Sequence, residues 1–241
     1  MKKVLVLNGS PKGKNSDTMY LTNAFLSGLL ESGLYEVEII DLKSLNIKPC
    51  MGCLSCWGRT AGNCVIKDDD IYKIREKIEE SDVFIESFPL YFFGMPGTVK
   101  LFTDRMMMMM QTYNGQKAPE NGESYHGIRF KKDNQKFIII SSCAYTDTDK
   151  AYEPLYKQMD CICGSNNYTP IFCSQIKTLI DLKNESKIKR FLNKFYEAGI
   201  EFSKNECLSI DTINNLKKPP FSDMAYKVFL DKFWENESNK D

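Results

Sequence analysis

The chain has 241 residues, of which 42% are hydrophobic and 27% are charged. This composition is that of an ordinary folded protein and excludes the highly charged, apolar-poor class of disordered chains. The 32 Lys and Arg residues balance the 32 Asp and Glu residues, so no net charge draws the protein toward nucleic acid or an anionic membrane.

The amino terminus, "MKKVLVLNGSPKGKNS", has two lysines followed by only four consecutive apolar residues. That run is too short for the core of a signal peptide, and no other apolar run approaches the length of a membrane span. We therefore expect a cytoplasmic protein. In that reducing compartment its nine cysteines are more often free, metal-bound or catalytic than paired in structural disulfides.

Short β-rich runs alternate with amphipathic segments along the chain. Strands are predicted at residues 3–8, 35–41, 82–88, 136–141 and 168–173. Helices are predicted at residues 17–32, 70–80, 96–112, 150–162 and 185–204. A strand–helix alternation repeated in this way indicates an α/β fold built on a doubly wound parallel sheet.

The domain organisation follows from where the alternation stops. We assign residues 1–205 to one α/β domain with a polar insertion at 113–135, and residues 206–241 to a helical C-terminal extension. In the extension, a Pro219–Pro220 pair separates two helical pieces. The second piece carries an apolar stripe that must pack on the sheet domain or on a partner subunit. The stripe consists of Tyr226, Phe229, Leu230 and Phe233.

The loop "NGSPKGKNSDT" (8–18) joins the first predicted strand to the first predicted helix. Ligands of doubly wound sheets bind beyond the carboxyl ends of the strands, where a helix amino terminus suits a phosphate. The glycine spacing matches neither a Walker A loop nor a dinucleotide fingerprint. Two interpretations stay open: a mononucleotide phosphate loop of another type, or an ordinary turn in which Ser16 caps the helix.

The stretch "CMGCLSCWGRTAGNC" (50–64) follows the second predicted strand and holds four cysteines with two, two and seven residues between them. An iron–sulfur cluster, a zinc site, a disulfide pair and four unrelated thiols are all candidates. Zinc favours two C-x-x-C pairs separated by a longer loop, so the spacing argues modestly against it.

Two further loops follow the third and fourth predicted strands. The first, "FPLYFFGMPGTVKLFTDRM" (88–106), is so rich in aromatic residues that it must cover something flat and apolar. The second, "SSCAYTDTD" (141–149), brings small residues to the same edge of the sheet. The run Met106–Met110 indicates a helix that is buried on most sides or lies at a subunit interface.

Together, "GSPKGKNS", "PLYFFGMPGTVKLFTDR" and "SSCA" resemble the flavodoxin-like NAD(P)H-dependent FMN reductases over about residues 1–175. With the cysteine loop, the chain is most similar to the iron–sulfur flavoproteins of that family. The resemblance implies a flavodoxin-like five-stranded parallel sheet of order 2-1-3-4-5, FMN as cofactor and NAD(P)H as co-substrate. It implies no catalytic side chain, because the flavin accepts the hydride.

The resemblance also implies which residues hold FMN. The phosphate loop comprises Ser10, Lys12, Asn15, Ser16 and Thr18. The segment against the isoalloxazine ring comprises Pro89, Leu90, Tyr91, Phe92, Phe93 and Gly94, and the loop near its pyrimidine edge comprises Ser142 and Cys143. The sequence departs from the family pattern in two places: Asp17 puts a carboxylate near the phosphate, and Cys143 with Ala144 stands where glycines are common.

For the cysteine loop, the resemblance implies a [4Fe–4S] cluster held by Cys50, Cys53, Cys56 and Cys64, although an empty or oxidised loop and zinc remain alternatives. The expected function is an FMN-dependent oxidoreductase that takes hydride from NAD(P)H and passes the electrons on to an unidentified acceptor, through the cluster where one is bound. FMN-binding relatives suggest a homodimer or tetramer. The alternatives are a flavodoxin-type electron carrier without NAD(P)H activity and a non-enzymatic redox or metal sensor. A Ser-His hydrolase is disfavoured, since His126 is the only histidine.

Overall fold

Five parallel strands form the centre of the molecule. A computed structural model describes residues 1–112, 126–130 and 132–238. The strands are β1 (Lys2–Asn8), β2 (Tyr35–Asp41), β3 (Val83–Pro89), β4 (Lys136–Cys143) and β5 (Thr169–Ser174). Their order is β2-β1-β3-β4-β5, with every neighbouring pair parallel, so the predicted flavodoxin-like topology is confirmed.

Eight helices are found in the described part of the chain. They are α1 (Asp17–Leu30), α2 (Ile71–Glu80), α3 (Gly97–Arg105), α4 (Thr148–Cys163), α5 (Ile176–Asp181), α6 (Glu185–Asn205), α7 (Ile210–Lys217) and α8 (Asp223–Ser238). Helix α5 was not predicted. The helix predicted over 96–112 was wrong in its second half, because α3 ends at Arg105 and a 3-10 turn follows over Met106–Met109. That turn buries Met108 and Met109 and leaves the Met107 carbonyl to accept a hydrogen bond from Trp57 Nε1 at 2.8 Å.

Helices cover both faces of the sheet, and the alternation of side chains along β3 separates the two cores. Val83 and Ile85 belong to the core under α1 and α6, whereas Phe84 and Phe88 belong to the core under α2, α3 and α4. Helices α1 and α6 pack closely at Gly28, where an added Cβ would lie 1.9 Å from the Tyr196 carbonyl oxygen. Only a glycine allows the two backbones this approach.

Helix α8 packs against the carboxyl edge of the sheet. Tyr226 of α8 is buried, and its hydroxyl donates a hydrogen bond to the Ala144 carbonyl at 2.7 Å, just beyond the end of β4. Of the predicted insertion at 113–135, residues 113–125 and 131 lie outside the described residues. Across the ranges that are described, no helix has the length and apolar character needed to cross a membrane.

Candidate cofactor site

A cavity of about 830 Å³ lies at the carboxyl edge of the sheet. Its walls come from the loops after β1, β3, β4 and β5 and from α8. The predicted site residues that line it are Ser10, Lys12, Ser16, Thr18, Pro89, Leu90, Tyr91, Phe92, Ser142 and Cys143. Its volume is in the range of small-molecule and cofactor sites. The structure thus brings the three predicted loops together around one space.

The first loop leads directly into the amino terminus of α1. Ser16 caps this helix, since its Oγ accepts a hydrogen bond from the Thr18 amide at 3.2 Å. The loop also holds an ion pair, because Lys12 Nζ lies 2.8 Å from the Asp17 carboxylate and this hydrogen bond raises the pKa of Lys12. The Asp17 carboxylate therefore does not face an incoming phosphate as an unpaired charge. Asn15 is exposed and does not line the cavity.

Buried hydrogen bonds join the three loops. The hydroxyls of Thr18 and Ser142 lie 2.6 Å apart, which links α1 to the end of β4. The Leu90 amide donates to the Ser142 carbonyl at 2.8 Å, which links the aromatic loop to the same residue. Because each contact is buried, the relative positions of the loops are fixed before any ligand binds.

The aromatic loop turns sharply at the cavity mouth. Tyr91 and Gly94 exchange two backbone hydrogen bonds of 3.0 Å. Phe92 and Phe93 between them have φ angles of 51° and 64°, a left-handed conformation that costs a residue with a Cβ about 1–3 kcal/mol. Phe92 is 98% exposed, and Phe93 stacks on Tyr145 with ring centroids 4.8 Å apart. Of the six predicted ring residues, Phe93 and Gly94 do not line the cavity.

Gln175, directly after β5, lines the cavity and was not among the predicted site residues. Its side chain is 1% exposed, and neither its amide nitrogen nor its amide oxygen has a hydrogen-bond partner among the described residues. Its backbone is held in place, since φ is 66° and its N–H donates to the Cys143 carbonyl at 2.8 Å. A buried amide left without partners is costly, so this group is suited to a ligand that offers both a donor and an acceptor. The pyrimidine edge of an isoalloxazine offers both.

The remaining wall of the cavity is apolar and comes from α8. It consists of Phe229, Leu230, Phe233 and Trp234. The stripe was predicted to pack on the sheet domain or on a partner subunit, but not to line this cavity. At the sheet side, burial raises the pKa of the Cys143 thiol, so that group stays protonated near neutral pH.

The four clustered cysteines lie apart from this cavity. Cys50 and Cys53 are exposed, Cys56 and Cys64 are half-buried, and all four line one small apolar space together with Met107. No described residue of that space also lines the cofactor cavity. As placed, no three His, Cys, Asp or Glu side chains in the described ranges form a metal-ion site, and no disulfide joins any two cysteines there.

Two thiols of the loop differ in acidity. Burial, followed by the nearby Cys64, raises the pKa of Cys56. Hydrogen bonds with Ser55 lower the pKa of Cys53. Four thiols that repel one another as thiolates are the donor set that a positively charged iron or zinc centre compensates. The chemistry of the loop therefore fits a metal centre, even though the sulfurs are not arranged as a coordination shell.

Arg105 at the end of α3 contacts the chain on both sides of the cysteine loop (50–64). Its guanidinium donates to the Lys48 carbonyl at 2.8 Å and to the Ile66 carbonyl at 3.2 Å, and it pairs with Asp69. Both charged side chains are fully buried. Burial opposes ionisation of Asp69, but hydrogen bonds from Arg105 and from backbone amides outweigh it and lower the pKa of that carboxyl. The loop is thus anchored to the sheet domain at both ends.

Comparisons with known proteins agree with this architecture. The family model described as "Flavodoxin-like fold" matches residues 2–197. An iron–sulfur flavoprotein of Archaeoglobus fulgidus is 41% identical over 106 residues, which cover 44% of this chain and 49% of that protein. The chain therefore spans about half the length of that relative. An iron–sulfur flavoprotein of Clostridioides difficile is 29% identical over 245 residues, covering 97% of this chain and 98% of that protein.

Among solved structures, an FMN-dependent NADH-azoreductase from Bacillus anthracis in complex with FMN has a TM-score of 0.57. It is 18% identical and covers 86% of this chain and 99% of that one, a likeness that shows the fold alone. The predicted resemblance to flavodoxin-like flavoproteins is confirmed.

Proposed function

Because the chain belongs to the family with the flavodoxin-like fold, we propose that it is an FMN-dependent oxidoreductase that takes hydride from NAD(P)H. The observation that carries the proposal is the unpaired, buried amide of Gln175 in a cavity walled by three hydrogen-bonded loops. The names of the Archaeoglobus and Clostridioides relatives, which are flavoproteins, support it.

The residues divide the cavity into three parts. The amino terminus of α1, with Ser10, Lys12, Ser16 and Thr18, would hold the phosphate. The segment Pro89 to Phe92 would lie against the ring, and Ser142, Cys143 and Gln175 would face its pyrimidine edge. When bound, FMN would supply the hydride acceptor. The chain itself binds and orients the ring, and the apolar residues of α8 exclude water from it.

A flavin titration followed by rapid mixing tests this function. Apo-protein should take up FMN saturably, and mixing the loaded protein anaerobically with NADH or NADPH should bleach the visible flavin absorbance. Saturable uptake without bleaching by either nucleotide would instead identify a flavodoxin-type electron carrier. If FMN is not taken up at all, both flavin functions are wrong.

We further propose that Cys50, Cys53, Cys56 and Cys64 hold a [4Fe–4S] cluster that passes electrons onward. The shared apolar space and the clamp by Arg105 support this set of ligands. Anaerobically purified protein should contain iron and sulfide, and Cys56→Ser should lose both. Cys207→Ser provides the matched control, because Cys207 is exposed and lies outside the loop. Iron and sulfide contents that are both negligible would contradict the cluster, and zinc in their place would favour the alternative.

We also propose that the protein forms a homodimer or tetramer that completes the cavity mouth. Phe92 is 98% exposed and Trp234 is 62% exposed, and both line the cavity. Large apolar side chains grouped at a site mouth favour a contact with another protein surface. Light scattering should report more than one subunit, and a monomer at working concentrations would contradict this.

A further inference from the structure

A second cavity, of about 570 Å³, lies between the sheet and the α3–α4 side of the molecule. It shares no described residue with the cofactor cavity or with the cysteine space. Its lining is rich in thioethers and aromatic rings. These are Met95, Met106, Met109, Met110, Met159, Phe84, Phe102 and Phe137.

One carboxyl group, that of Glu86, faces this apolar space. Glu86 lies in the middle of β3, with Leu7 of β1 and Ile139 of β4 as its register neighbours. The side chain is 6% exposed, and its Oε2 is buried with no hydrogen-bond partner among the described residues. No Lys or Arg in the described part of the chain pairs with it.

The surroundings of Glu86 contain few groups that can titrate. His126 and Cys163 are the other titratable residues of the lining, and α2, α3 and α4 present no charged side chain to the cavity. Burial alone raises the pKa of Glu86 to about 8. At neutral pH the acid is therefore mostly protonated in the empty cavity.

The fold gives no reason for an acid at this position. The other β3 side chains on this face, Phe84 and Phe88, are apolar and pack in the same core. An unpartnered acid in such a core costs stability, and it contributes nothing to the cofactor site. A buried polar group without a hydrogen-bond partner calls for an explanation. Because Glu86 adjoins a cavity, the explanation we adopt is a ligand that binds there and supplies the missing partner.

We propose that this cavity is a binding site for a hydrophobic organic cation, whose positive group pairs with the Glu86 carboxylate while its apolar body contacts the methionines and phenylalanines. An ion pair in this low-dielectric space is stronger than a hydrogen bond to a neutral ligand of the same shape. Aromatic faces and polarizable sulfurs add favourable contacts with a cation.

The lining also selects among cations. A small inorganic cation such as Mg²⁺ or Ca²⁺ needs several oxygen ligands, and Glu86 supplies the only carboxylate among the described lining residues. A hydrophobic amine loses less hydration and fills the volume. On binding, the Glu86 carboxyl transfers its proton to the buffer and the resulting carboxylate pairs with the ammonium group. Binding is thus coupled to the release of a proton.

Calorimetry with two matched probes tests the site. The FMN-loaded protein is titrated with 4-phenylbutylamine and with neutral 4-phenyl-1-butanol, in two buffers of different ionisation enthalpy. We expect the amine to bind at least about tenfold more tightly, a difference of about 1.4 kcal/mol. We also expect it to release close to one proton at pH 7, whereas the alcohol releases none. Equal affinities, or no proton release, would overturn the proposal.

Two variants locate the effect. Glu86→Gln keeps the volume and removes the charge, so it should abolish both the preference for the amine and the proton release. Glu153→Gln, at an exposed position of α4, should change neither. The two cavities share no described lining residue, so the same titration can be run on protein without FMN, and failure here is distinguishable from failure of the proposed flavin function. If Glu86→Gln does not fold, the comparison of the two probes on the unmodified protein still decides. An amine preference that survives Glu86→Gln would place binding elsewhere and refute the site.

Discussion

The unpaired amide of Gln175 leads to a prediction in which stability and affinity change in opposite directions. Gln175→Met keeps an unbranched side chain of similar length, so the left-handed backbone at φ 66° is strained no more than before. The substitution removes a buried donor and a buried acceptor that have no partner in the described structure. Since each such group costs about 1–3 kcal/mol, the apo-protein should become more stable by roughly 1–2 kcal/mol after allowing for imperfect packing.

FMN affinity should fall in the same variant. Two hydrogen bonds to the ring would be lost, each contributing about 0.5–1.5 kcal/mol, so the dissociation constant should rise roughly 5- to 150-fold. Urea unfolding of the apo-protein and a fluorescence titration with FMN measure the two quantities separately. Loss of a side chain that merely supports the fold would lower the stability of the apo-protein instead of raising it.

Gln135→Met is the matched control. The Gln135 amide nitrogen is fully engaged, donating to the Ile78 carbonyl at 2.6 Å and to the Ser81 carbonyl at 2.9 Å. Its loss should destabilise the protein and leave FMN affinity unchanged. Gln175 has no such role in FMN binding if Gln175→Met destabilises the apo-protein like this control, or if the variant binds FMN as tightly as the unmodified chain.

Three further substitutions give measurable outcomes. Arg105→Met leaves the buried Asp69 carboxylate unpaired, so urea titration should show a free energy of unfolding lower by about 3–5 kcal/mol. Lys100→Met breaks an exposed ion pair on the same helix and should change that free energy little. Burial raises the pKa of Glu86 from 4.5 to about 8, so between these pH values the folded state holds a proton that the unfolded state has lost. The free energy of unfolding should therefore fall as pH rises from about 4.5 to about 8, by an amount on the order of 5 kcal/mol. That slope should be absent in Glu86→Gln, and its persistence there would show that another group titrates. Tyr226→Phe removes the hydrogen bond that joins α8 to the loop after β4, so the free energy of unfolding should fall by about 1 kcal/mol. Stopped-flow dilution of the same variant should show faster FMN release. An unchanged release rate would mean that α8 does not retain the cofactor.

The sheet and its three ligand-facing loops could be predicted from sequence because their signals are local. Short β-rich runs mark β1 to β5, and the carboxyl end of each strand follows from the chain direction. Ser16 sits where a helix cap is expected, and it caps α1. The rule that ligands bind beyond the carboxyl ends of the strands also points to Gln175, since this residue directly follows β5. Its unpaired amide, however, depends on tertiary neighbours that a single strand pattern does not specify.

The end of the third helix and the surface that α8 covers were not predicted, because both depend on tertiary contacts. A run of methionines has no polar residue to mark a helix end, so the change to a 3-10 turn after Arg105 could not be read from periodicity. The turn is stabilised by a contact distant in sequence, the hydrogen bond from Trp57 to Met107. The apolar stripe on α8 could be recognised in the sequence. The surface that it covers, however, depends on the direction that the chain takes after Pro219 and Pro220.

Strand β3 shows how one short segment serves two separate sites. Because side chains alternate along a strand, Ser87 faces α1, where its hydroxyl lies 2.7 Å from Thr22 Oγ1 beneath the first loop. Its neighbour Glu86 faces the opposite side and lines the second cavity. A register slip by one residue would exchange these faces, placing an acid under α1 and a serine among the methionines. The pairing of β3 with β1 and β4 therefore fixes the support of the cofactor loop and the position of the buried carboxyl at the same time.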